Sequence, residues 1–138
     1  MCVQDAIAVA ACHDRIGGVL LKAGDLGKAE GNYRHALELS TTLAPKLPES
    51  IDIRYLTAAT YSGLGDVATR YAQTAGTVKQ RFKFWDQARS WYEQSLEEWA
   101  RIPNPSPIAP NEFKVDVPSE VERRLARCRA ELARARVT

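Results

Sequence analysis

Apolar residues recur at steps of three and four along most of this chain, the spacing that one face of an α-helix presents to a core. Ile7, Ala11, Ile16, Leu20 and Leu21 mark a first helix over 4–23, ended by Gly24 and Asp25. Leu26, Ala29, Tyr33, Ala36, Leu37 and Leu43 mark a second, from about Leu26 to Leu43. Pro45 and Pro48 close it, because proline cannot extend the hydrogen-bond ladder. A third helix starts near Glu49 to Ile51 and carries Tyr55, Leu56, Ala59, Leu64, Val67 and Tyr71 at least to Ala75, with Gly76 as the first break. A fourth, from Trp85 to about Ile102, places Trp85, Ala88, Tyr92, Ser95, Leu96 and Trp99 on one face, with Glu93, Glu97 and Glu98 mostly opposite. Pro103, Pro105, Pro107 and Pro110 make 103–118 an extended linker. Ser119 followed by Glu122 reads as a capping box opening a fifth helix over 119–136. Its apolar positions Val121, Leu125, Cys128, Leu132 and Ala135 form one narrow seam among arginines. The pattern predicts an all-α fold.

Part of the pattern occurs twice. His13, Ile16, Gly17, Leu20, Ala29, Tyr33 and Ala36 correspond to Tyr61, Leu64, Gly65, Ala68, Ala88, Tyr92 and Ser95. Gly17, Ala29, Gly65 and Ala88 are small residues set between larger apolar ones, so each pair of helices must approach closely. The short turn at Gly24-Asp25 forces an antiparallel hairpin. Gly17 to Ala29 is twelve positions and Gly65 to Ala88 is twenty-three, so the second unit carries eleven extra residues. That arithmetic places an insert at 74–84 in the turn of the second hairpin. Lys79, Arg81, Phe82, Lys83 and Phe84 would make it a small basic and aromatic knob. Neither helix of a hairpin buries its stripe alone, which is the physical reason such units stack.

These doubled residues resemble the tetratricopeptide repeat. The resemblance implies a TPR-like α-α superhelix of two antiparallel hairpins, about 4–44 and about 49–102, capped by the helix at 119–136, as one domain over 1–138. The repeat offset of forty-eight residues between Gly17 and Gly65 exceeds the usual ~34, so the helices must be extended. Ala88 to Trp99, a loop, and Val121 to Cys128 look like the C-terminal tails of large bacterial Ser/Thr protein kinases and related signalling proteins, which implies the docking end of such a protein. In that family ligands lie along the concave face of the first helix of each unit. The resemblance then assigns Asp14, Gly18, Leu21 and Lys22, and Ser62, Asp66, Thr69 and Arg70, to a mixed-sign groove. Members that clamp chaperone tails use lysine and asparagine where this chain has Asp14 and Gly18, which argues against that ligand.

Composition narrows the function without naming a partner. The chain has 138 residues, 45% of them apolar and 26% charged, with a formal net charge of +2. The charges are well mixed, so no strong field steers nucleic acid or membrane to the surface. Cys2, Cys12 and Cys128 show no CxxC pairing, and an odd count fits a reduced compartment. The apolar runs fall short of the ~18 residues of a spanning helix. A soluble, cytoplasmic chain is expected, cut from a longer one. His13 and His35 sit on different helices without metal-ligand spacing. The glycines lack the GxxxxGK[ST] of a phosphate loop, and no GxSxG occurs. No catalytic residue, metal or cofactor is therefore expected.

The reading is a non-catalytic module that binds protein or peptide in the groove. Lys79, Arg81, Phe82, Phe84 and Trp91 form a second candidate interface, because Trp91 falls off the buried stripe and would either pack under the linker or fifth helix or anchor a partner. The alternatives are an end cap or oligomerisation element that binds nothing in its groove and, less favoured, a nucleic-acid surface made by the insert and the arginines of the last helix. The first helix should present a partly apolar face through which a homodimer could form.

Overall fold

The computed structural model describes residues 3–102 and 118–137, and within them the chain is helical. Helix α1 is Val3–Ala23, α2 Leu26–Leu43, α3 Ile51–Thr74, α4 Val78–Ala100 and α5 Pro118–Val137, with a 3-10 turn at Ala44–Lys46 between α2 and α3. The end of α1 and the starts of α2, α3 and α4 have local chemical causes. Gly24, at φ +87°, ends α1. Its amide donates to the Leu21 carbonyl at 3.1 Å, and the Asp25 amide donates to that of Leu20 at 2.9 Å. This is the Schellman arrangement that only a left-handed residue closes. The Asp25, Ser50 and Thr77 side chains then accept from the amides of Lys28, Ile53 and Gln80 and so cap α2, α3 and α4.

Consecutive helices run antiparallel. Ile7 packs near Leu43 and Gly17 against Tyr33 in the first hairpin; Tyr55 meets Trp99 and Tyr71 meets Phe84 in the second. Between hairpins, α1 and α3 lie side by side in the same direction. Asp14 accepts from Thr60 Oγ1 at 3.0 Å, and the Leu21 carbonyl accepts from Arg70 at 3.3 Å. Helix α3 is the centre of the molecule: Ile53, Leu56, Ala58, Thr60, Ser62, Leu64, Val67 and Ala72 are all buried, on every side of the helix. A helix apolar or small all round is one enclosed by neighbours.

The hairpins close through tyrosine rings laid on glycines. A Cβ at Gly17 would stand 3.0 Å from Tyr33 Cε1, one at Gly63 would overlap the same ring, and one at Gly65 would stand 2.5 Å from Tyr92 Cε1. Both rings are buried, so neither can swing aside for a methyl group.

Three expectations are corrected. The eleven extra residues form no knob: only Ala75–Thr77 lie outside helix, Thr74 ends α3, and 78–84 are the first two turns of α4. Thr77 starts the helix there, and Phe82 and Phe84 then turn inward, Phe84 stacking on Tyr71 at 5.1 Å. Ile16 is exposed, not in the core. Trp91 is half-buried, 5.9 Å from the Tyr61 ring of α3 and under the Arg34 guanidinium of α2 at 5.6 Å. Pro118, suited to the first helical position by its fixed φ, opens α5, so Ser119 lies inside the helix. The rest of the 103–118 linker lies outside the described residues.

Gly63→Ala is expected to destabilise the fold by about 1–3 kcal/mol through overpacking against Tyr33. Gly31→Ala, at an exposed α2 position with nothing within 4 Å of the new methyl, should stabilise it by about 0.5–1 kcal/mol. Urea unfolding of the two variants checks the opposite signs.

Candidate functional site

The last turn of α1, the middle of α3, the front half of α4 and the first half of α5 meet around a cleft of about 300 Å³. Its walls include Leu21, Asp66, Thr69, Arg70, Trp85, Tyr92, Arg124 and Arg127. The arrangement follows from the helix register. Asp66, Thr69 and Arg70 fall three and four apart on α3, so they share the face turned towards α1 and α5. On α5, Arg124 and Arg127 flank the buried seam of Val121, Leu125 and Cys128 that docks on Ala72, Trp85, Ala88 and Tyr92.

The polar groups of the cleft hold one another. The Tyr92 hydroxyl donates to Asp66 Oδ1, and Arg124 reaches the same carboxylate at 3.4 Å and Ser62 Oγ at 3.3 Å. Burial, then the Asp66 charge, pushes the Tyr92 hydroxyl far above the usual phenol range, so it stays protonated as a donor. Arg70 donates to the Leu21 carbonyl, which also accepts the Gly24 amide in the turn that ends α1. Arg127 lies over the Trp85 ring at 5.4 Å, a cation–π contact that leaves its outer edge to solvent. The site thus presents three arginines against one aspartate already engaged by a tyrosine and an arginine, and its free field is positive.

Of the eight groove residues expected, the structure brings Leu21, Asp66, Thr69 and Arg70 to this cleft, with Ser62 beside it through Arg124. Asp14 is turned to Thr60, Gly18 faces the Tyr33 hydroxyl and Lys22 is exposed at the end of α1. Of the second candidate set, Lys79 and Arg81 are exposed, whereas Phe82, Phe84 and Trp91 are half-buried in the packing of α4. Trp85, Tyr92, Arg124 and Arg127 were not expected at the site. The seam pattern of α5 was legible in the sequence, but which residues of α3 and α4 it meets is set by tertiary docking.

Among the described residues no group of three or more His, Cys, Asp or Glu could hold a metal ion. His13 bonds to Asn32 at 3.0 Å and stacks on His35 at 4.4 Å, a packing role on the α1–α2 hairpin. No helix among the described residues is long and apolar enough to cross a membrane. No family model matches the chain, and no curated protein or solved structure matches it either.

Cys128 gives a pH prediction. Burial, the largest cause, raises its thiol from an ordinary 9.0 to about 11. A proton held more tightly by the folded chain contributes stability that is complete below pH 9.0 and lost as pH rises towards about 11. The free energy of urea unfolding should fall across that window, and less steeply in Cys128→Ala. At pH 8, iodoacetamide should modify the buried Cys128 only after unfolding, as read by peptide mass.

Proposed function

We propose that this chain is a tetratricopeptide-like segment serving as a non-catalytic peptide-interaction module, the regulatory or docking part of a larger bacterial signalling protein in the cytoplasm. The observation that carries the reading is the cleft at Asp66, Arg70, Trp85 and Arg127. It sets the half-buried Leu21 side chain beside cations whose nearest anion is already engaged, the pairing that suits an extended peptide bearing a carboxylate beside an aromatic or aliphatic side chain. The alignment of Gly17 with Gly65 and of Tyr33 with Tyr92, each glycine lying under its own tyrosine, supports the repeat reading. The likeness of Ala88–Trp99 and Val121–Cys128 to kinase tails supports the place in a signalling protein.

One observation favours a second reading. Arg124 ties α5 across the groove face of α3 at Ser62 and Asp66, which is what a structural end cap would do. Nucleic acid is the weaker partner, because Arg124, Arg129 and Arg134 of α5 are each paired with an acid.

A displayed library of random peptides separates these readings. Peptide binding predicts enrichment of acidic sequences with an adjacent large apolar residue. Their affinity should fall at least about tenfold, ~1.4 kcal/mol, in Arg127→Glu at unchanged far-UV circular dichroism. Asp66 is unsuitable for charge reversal, because it also holds Tyr92 and Arg124 in place. No enriched peptide, or affinity indifferent to Arg127→Glu, would favour the end cap.

A further inference from the structure

Opposite its packed side, α1 carries a second apolar stripe: Val9, Cys12, Ile16 and Val19, spaced three, four and three. It faces solvent, with Val9 37%, Ile16 47% and Val19 67% exposed and Cys12 exposed as well. The internal repeat says what kind of surface this is. Moving forward by the forty-eight residues from Gly17 to Gly65, the equivalent positions on α3 are Thr57, Thr60, Leu64 and Val67. All four are buried, Leu64 and Val67 to 2% exposure, and the first hairpin covers them: Ala29 and Tyr33 pack on Leu64 and Val67, and Asp14 bonds to Thr60. The stripe on α1 is therefore the face that, one unit later in the same chain, is a helix-packing interface.

We propose that this face is the contact of a two-fold symmetric homodimer in which α1 packs antiparallel on α1 of a second copy. Two features choose that occupant over another helical hairpin. The first is Arg15, which stands where α3 has Gly63. Gly63 is the seat of the Tyr33 ring, so α1 lacks the recess into which a hairpin of the α1–α2 kind would insert its tyrosine. The second is that the stripe is a palindrome about position 14. A two-fold axis there sets Val9 against the partner's Val19 and Cys12 against the partner's Ile16, the self-complementarity an isologous interface requires. It also brings the exposed Asp5 near one end of the stripe towards the partner's exposed Lys22, and antiparallel helices place opposite dipole ends together.

Sedimentation velocity of the chain over a concentration series tests this. Wild type is expected to form a reversible dimer. Ile16→Glu, at an exposed position that leaves the fold intact by circular dichroism, should raise the dimer Kd at least about tenfold. Asp5→Lys and Lys22→Glu should each weaken it, and the chain carrying both should regain wild-type affinity, because the swap restores each opposite-charge pair across the two-fold. A chain that stays monomeric up to millimolar concentration would overturn the proposal. So would a dimer indifferent to Ile16→Glu, or a double variant no tighter than the single ones.

Discussion

The arrangement of this molecule depends on tyrosine rings lying flat against glycine backbone. Tyr33 spans Gly17 of α1 and Gly63 of α3, and Tyr92 covers Gly65 of α3. Each ring fills the space that a side chain at the facing glycine would otherwise occupy, so the tyrosine-bearing helix rests on glycine backbone. Because one ring touches both α1 and α3, the first hairpin is locked to the second by the residue that closes it. The same ring that closes the second hairpin then carries its hydroxyl to Asp66, so packing and cleft chemistry share an atom group.

Enclosure of α3 has an electrostatic consequence. A helix buried on all sides has to satisfy its polar side chains internally. Thr57 Oγ1 donates to the Ile53 carbonyl, Thr60 to Asp14, and Ser95 of α4 donates to the Ala58 carbonyl at 2.8 Å. These bonds run between helices as well as within them, and they set the register of α1 and α4 on α3. Asp66 and Arg70, one turn apart, are the points where this internal network opens to the cleft, which is why their charges are partly spoken for before any ligand arrives.

The candidate site was half legible in the sequence. The resemblance to the tetratricopeptide repeat assigned Leu21, Asp66, Thr69 and Arg70 to the groove, and helical periodicity, which fixes neighbours within an element, is why the last three share a face of α3. Trp85 and Tyr92 read as core stripe, and so they are; the sequence carries no sign that the edge of that stripe also borders a cleft. Arg124 and Arg127 read only as arginines flanking the seam of α5, and the docking of α5 on Trp85 and Ala88 brings them beside α3. The eleven extra residues were counted correctly but placed wrongly. Gly76 and Thr77 together signal a stop and a cap, and the apolar spacing from Val78 through Phe82 to Trp85 continues the pattern of α4 without a break.

By itself the sequence determined the helical periodicity, the turn at Gly24-Asp25, the two-fold recurrence of small and aromatic positions, and which residues share a helix face. All of these are local, set by hydrogen-bond geometry and by periodicity over a few turns. Only the tertiary structure decided that Trp91 meets Tyr61 and Arg34, that Ile16 stays in solvent, where α5 docks, and which cations line the cleft. Those outcomes depend on the angle and register at which one helix lies on another. They arise from the combined packing of many side chains distant in sequence, for which no short stretch of the chain holds the information.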